Sequence, residues 1–171
     1  MGFRIRPAIY ADSAAACQTV RDSISRLCAD DHREDAATLT AWLANKTEAN
    51  FRTWIGSDHH LALVAEDPEG VCGFGLLNRN GKLAQLYVAP RARFRGVSKA
   101  LLAALEIEAL RLGLKELSLG SSMTALRFYQ SAGYRLAGEP EQGFGVTRSQ
   151  PMSKRLDAVR VSAPPSPAHR P

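Results

Sequence analysis

Between Lys82 and Leu119 the chain reads strand, basic loop with one glycine, long helix, strand, and this order constrains the fold more than any other stretch. Lys82 to Val88 is the first strand, and Ala89 to Val97 is the loop. A helix is expected from about Ser98 to Leu112, with Leu101, Leu102, Leu105 and Leu110 as core positions and Gly113 as its stop. Glu116 to Leu119 is the second strand. Two strands joined through a helix cannot close as a hairpin. They lie parallel, with a right-handed crossover.

The flanking segments alternate period. Phe3 to Arg6 reads as a short strand before Pro7, and Asp12 as the N-cap of a helix over Ala14 to Cys28. After the polar break Asp30 to Asp35, Leu39, Trp42 and Leu43 begin a second helix. Thr47 caps a third, carrying Phe51, Trp54 and Ile55 on one face up to Gly56. Leu61 to Ala65, Val71 to Leu77 and Lys82 to Val88 are separated by Asp67-Pro68-Glu69-Gly70 and Asn78-Arg79-Asn80-Gly81, both strong turn sequences. They predict an antiparallel meander of three strands. Ser122 is placed to cap a helix from Met123 to Ala132, with Gly133 beyond it. Tyr134 to Ala137 and Phe144 to Lys154 form a last pair of strands. The fold class is therefore α/β of the α+β type: a mixed, mostly antiparallel sheet of about seven strands flanked by helices, with one parallel βαβ pair.

A chain of 171 residues with 45% hydrophobic and 23% charged residues suits one globular domain. We assign it to residues 1–157 and read the Pro-rich stretch 158–171 as a disordered basic tail. The net charge of +5 is concentrated at that end: residues 148–171 carry Arg148, Lys154, Arg155, Arg160 and Arg170 against Asp157 alone. The basic balance is thus only weak evidence for nucleic-acid binding by the fold itself, and nucleic acid is not an expected partner. Three cysteines give no disulfide framework. Cys17 and Cys28, eleven residues apart on one helix, sit roughly 16 Å apart. No apolar run reaches membrane-spanning length, and MGFRIRPAIY has no signal-peptide core, so a cytoplasmic location is expected. His59 and His60 are adjacent rather than one helical turn apart, and no metal site is assigned.

The chemistry concentrates in Leu86-Tyr87-Val88-Ala89-Pro90 through Arg93-Phe94-Arg95-Gly96-Val97-Ser98-Lys99. Backbone N–H groups at a helix start are unpaired and favour negative charge. Gly96 lets the backbone approach a phosphate, and Arg93, Arg95 and Lys99 add charge around it. Neither a Walker loop nor a dinucleotide fingerprint is present.

These residues resemble the GNAT superfamily of acetyl-CoA-dependent N-acetyltransferases. The family signature [QR]-x-x-G-x-[GA] opens the helix after the fourth strand. Arg93-Phe94-Arg95-Gly96-Val97-Ser98 matches it at Arg93 and Gly96, with Ser98 in place of Gly or Ala and Phe94 where a second glycine is common. A second block, Ser121 through Tyr134, is similar to the family segment ending F-Y-x-x-x-G-[FY], with Phe128, Tyr129, Gly133 and Tyr134 in place and Thr124 where Asn is frequent. The resemblance spans residues 3–156 and implies a GNAT fold. It implies that Leu86, Tyr87 and Val88 pair with the pantetheine arm at a β-bulge, and that the Val88 N–H polarises the thioester carbonyl. It implies a pyrophosphate site at Arg93, Phe94, Arg95, Gly96, Val97, Ser98 and Lys99, with Thr124 and Phe128 also beside the cofactor. Tyr129 falls at the position that protonates the leaving thiolate. The reaction implied is acetyl transfer from acetyl-CoA to a primary amine of a small molecule or protein by direct attack. Such proteins are often homodimers.

The general base is left open. Gln85 is the nearest polar group on the fourth strand; Glu66, Asp31, His32 and water are the alternatives. The acceptor region supplies Asp30, Asp31, Glu34, Asp35, Trp42, Glu139 and Glu141, acids that would suit a cationic amine, and no acceptor is assigned. The missing strand acid keeps a second reading in view, a non-catalytic CoA- or acetyl-CoA-binding sensor or interaction module.

Overall fold

The computed structural model describes residues 2–157; the tail expected at 158–171 lies outside the described residues. Among the described residues there are eight strands and six α-helices. In chain order they are β1 (Arg4–Pro7), α1 (Ser13–Leu27), α2 (Ala29–His32), α3 (Ala36–Leu43), α4 (Glu48–Ile55), β2 (His60–Asp67), β3 (Gly70–Asn78) and β4 (Leu83–Val88). Then follow α5 (Val97–Arg111), β5 (Glu116–Ser121), α6 (Leu126–Ser131), β6 (Arg135–Leu136), β7 (Glu141–Gln142) and β8 (Arg148–Arg155).

The meander forms as the turn sequences predict, with β1 added at its outer edge in the antiparallel order β1-β2-β3-β4. The second sheet, β5-β8-β6 with β7 on β8, is also antiparallel. The two sheets meet at one parallel bridge, Lys82 to Ser118, with Ser118 N–H donating to the Gly81 carbonyl at 2.9 Å. This is the parallel pair the βαβ order requires. Beyond that bridge β4 and β5 diverge.

One core lies between the sheets and α5, the other between α1, α3, α4 and the opposite face of β3. Helix α5 buries Val97, Leu101, Leu105 and Ala109, four residues apart on one stripe, together with Leu102. Leu110, expected in the core, is only half-buried, because this stripe passes through Ala109 instead. A Cβ at Gly73 would stand 2.7 Å from Leu101 Cδ1 and 2.9 Å from Val97 Cγ1. Side chains there would push α5, and the loop before it, off the sheet.

Two expected caps change. Asp12 does not cap α1. Its carboxylate takes the fork of Arg6 at 2.7 and 2.8 Å and the Ile9 N–H at 2.8 Å, a stronger charge-assisted set than one helix amide offers. Helix α6 begins at Leu126 rather than Met123, because a turn occupies residues 123–125. Ser122 Oγ still accepts the Ala125 N–H, at 3.3 Å. Thr47 caps α4 as expected, accepting the Asn50 N–H.

Candidate active site

The divergence of β4 from β5 opens a cavity of about 980 Å³ running between the sheets and under α1 and α3. Its chemistry begins with the backbone of β4. Ala89 N–H donates to the Cys72 carbonyl at 2.9 Å. Antiparallel pairs alternate, so Tyr87 and Gln85, opposite Phe74 and Leu76, also turn their amides towards β3. The amides of Leu86 and Val88 therefore face the opening. A bulge is present, but at Ala84, where the register skips from Gln85 to Leu83, and not at Val88. The Val88 amide is free through strand alternation rather than through a bulge.

The loop after β4 leads to the start of α5. Gly96 has φ +81°, a conformation that costs glycine little, and a Cβ there would meet nothing within 4 Å. The first intrahelical bond is Ala100 N–H to Gly96 O at 3.0 Å, so the amides of Val97, Ser98 and Lys99 have no helical partner. Arg93, Phe94 and Lys99 line the same end of the cavity. Phe94 is 91% exposed, has φ +63° and stacks under the Arg93 guanidinium at 4.5 Å. Its positive φ explains why glycine suits this position.

Arg95 departs from the expectation that it faces the same anion. Its guanidinium donates to Asp67 Oδ2 at 2.9 Å, beside Arg91 at 2.6 Å. Asp67 is buried, and hydrogen bonds first from Arg91 and then from Arg95 hold its carboxyl below the usual range. This pair of arginines clamps the loop to the β2–β3 turn.

Tyr129 on α6 lines the cavity beside Phe128 and is 7% exposed. Its ring packs edge-on against Phe128 at 5.1 Å and Tyr134 at 5.6 Å. No hydrogen bond to or from its hydroxyl is found among the described residues. Burial, and secondarily Tyr87, push the phenol above its ordinary value, so it stays protonated. Burial likewise pushes the Tyr87 phenol above its ordinary value. Thr124 lines the cavity, but its hydroxyl is bonded to Asp31.

None of the base candidates Glu66, Asp31 or His32 lines the cavity. Glu66 is held by Arg4 and Arg6 on the outer sheet. Asp31 accepts the amides of Met123 and Thr124 at 2.7 and 3.3 Å. His32 is buried, taking the Glu34 N–H on Nδ1 at 3.1 Å, with Nε2 3.3 Å from the Ser25 carbonyl. Asp30, Glu34, Asp35, Glu139 and Glu141 are exposed and outside the cavity. The acidic acceptor pocket thus gives way to a wall with no carboxylate among its described lining residues. Trp42 is there, joined by Lys46, Trp54, His60 and Phe144, which sequence reasoning missed. They come from four separate elements and loops, so no local spacing announces them.

The sequence profile of the acetyltransferase (GNAT) domain matches residues 28–156. The chain belongs to the GNAT acetyltransferase family. Among solved GNAT structures it is similar to a GCN5-related N-acetyltransferase from Rhodopseudomonas palustris, with 28% identity, TM-score 0.80, and coverage of 91% of this chain and 97% of that one. The PaiA N-acetyltransferase of Thermoplasma acidophilum, solved in complex with coenzyme A, shares the fold at 20% identity, TM-score 0.76, and coverage of 91% and 99%. So does YncA of Salmonella typhimurium, a putative acetyltransferase solved with acetyl-CoA, at 21% identity, TM-score 0.70, and coverage of 97% and 99%. Comparison with curated proteins returned no match. No helix among the described residues is long and apolar enough to cross a membrane. No group of three or more His, Cys, Asp or Glu among them could hold a metal.

Proposed function

We propose that this GNAT protein moves the acetyl group of acetyl-CoA to a primary amine by direct attack. The observation that carries the reading is one cavity lined by the Leu86–Val88 strand, whose outward amides are free, the open start of α5, and a protonated, unpartnered Tyr129. The coenzyme A and acetyl-CoA in two structural relatives support the same cosubstrate.

In this reading Leu86 and Val88 hold the pantetheine arm like an added strand. The amides of Gly96, Val97, Ser98 and Lys99, with Arg93 and Lys99, hold the pyrophosphate. The Val88 N–H donates to the thioester carbonyl oxygen as charge develops there. The amine nitrogen forms the new bond to the carbonyl carbon while the carbon–sulfur bond breaks. Tyr129 gives its proton to the leaving sulfur and regains one from solvent. The amine's surplus proton leaves to solvent. A covalent cysteine route is disfavoured, because burial pushes the Cys28 thiol, which borders the cavity, up to about 12.

The test is a melt with excess acetyl-CoA, then thiol release over a panel of amines. Cosubstrate at a hundred times its Kd should add about 2.7 kcal/mol, and Gly96→Glu should abolish the shift. A shift without thiol release for any amine would favour the non-catalytic sensor. No shift for the unaltered protein would sink both readings.

A further inference from the structure

The cavity wall holds a cation with no counter-ion among the described residues. Lys46, between α3 and α4, is 6% exposed and lines the cavity. Its carbonyl accepts hydrogen bonds from Cys17 Sγ at 3.2 Å and Arg21 Nη1 at 2.9 Å, which fix the loop. Its ammonium donates to Asn45 Oδ1 at 2.6 Å and lies 5.9 Å from the centre of the Phe144 ring. No carboxylate pairs with it among the described residues, and none lines the cavity. An ammonium taken out of water without an opposite charge is costly. Burial lowers its affinity for the proton, as that cost requires.

A second feature borders the same cavity. His60 on β2 stands opposite Asn78 on β3, and Gln85 on β4 stands opposite Leu76. Cross-strand partners share a face, so all three side chains lie on one face of the sheet. His60 Nδ1, Asn78 Oδ1 and Gln85 Oε1 are buried and have no hydrogen-bond partner, and Gln85 is 7% exposed. Asn78 Oδ1 and Gln85 Oε1 are acceptors, as is His60 Nδ1 when the ring proton sits on Nε2, and buried acceptors ask for donors.

We propose that the acceptor is a small amine that also carries a carboxylate, with Lys46 as the counter-ion of the carboxylate and His60, Asn78 and Gln85 accepting from the amine's N–H groups. This rests on the acetyltransferase reading and names its substrate class.

The experiment measures melting shifts with coenzyme A present and acetyl transfer with acetyl-CoA. The probes are α- and ω-amino acids, each beside its carboxamide and the matching alkylamine. At least one amino acid should stabilise the protein, and should be acetylated with kcat/KM roughly tenfold or more above its carboxamide. Lys46→Met should remove that preference, Lys46→Arg should retain most of it, and both should keep the shift with coenzyme A. Carboxamides or alkylamines equal to the amino acids would overturn the proposal, and so would a preference that survives in Lys46→Met. Failure of every amino acid to shift the melt would also overturn it. The comparison within the unaltered protein stands even if a variant fails to fold. Loss of the coenzyme A shift in the unaltered protein would instead overturn the acetyltransferase reading.

Discussion

Asp31 accepts the backbone N–H of Met123 at 2.7 Å across 92 residues of sequence. With Thr124 bonded through its amide and hydroxyl, this ties α2 to the turn that leads into α6. Asp31→Ala should therefore destabilise the protein by about 1.5–3 kcal/mol, the range for losing hydrogen bonds to a charged group. Its melting temperature should drop by roughly 2–4 °C per kcal/mol. The turn sits just before the helix that carries Tyr129, so turnover should fall as well. An unchanged melt would mean that the clasp contributes nothing.

Tyr129→Phe should lower kcat by roughly tenfold or more while leaving acetyl-CoA affinity unchanged. The ring and its packing survive the change, and only the proton donor is lost. Because burial raises the phenol above its ordinary value, its ionisation should not limit activity anywhere below about pH 10. Steady-state kinetics across pH check both statements. Equal turnover in the variant would remove Tyr129 from the reaction.

Asp67→Asn should raise the KM for acetyl-CoA with little change in kcat, because it loosens Arg91 and Arg95 and so the loop before α5. The stability effect has a definite sign. A carboxyl whose folded pKa lies below its unfolded value of about 3.9 contributes stability above that pH and loses it as pH falls through the folded value. Denaturation at neutral pH should separate the two proteins, and the gap should start to narrow below about pH 4 and close once the pH is below the folded value. A gap that persists in acid would show that packing, not charge, is responsible.

Phe94→Gly should stabilise the protein. A left-handed conformation costs a non-glycine residue about 1–2 kcal/mol, and the exposed Phe94 ring recovers little of it. A melting temperature at or below that of the unaltered protein would mean that the Arg93 stack outweighs the strain.

Much of this was legible in the sequence. Strand, loop and helix from Leu83 to Arg111 were announced by period and by Gly96, and the meander by its turn residues. Of the residues assigned to the cofactor or to catalysis, all except Arg95 line the cavity. What the sequence did not show was partner choice. Arg95 and Asp12 were assigned from their neighbours in sequence, yet Asp67 lies 28 residues from Arg95, and Arg6 outcompetes the α1 amides for Asp12. The acceptor wall was unreadable for the same reason. Nothing local in the Asn45-Lys46 pair tells that Phe144 closes over it.

Among the described residues the two sheets share a single bridge, Lys82 to Ser118. Almost no ladder of backbone bonds therefore couples the half that carries the basic loop to the half that carries β8. Side chains on α1, α3 and the loop before β8 can change, and the acceptor end can be reshaped, without shifting any strand register. A protein built this way can keep one donor and trade its acceptors over evolutionary time.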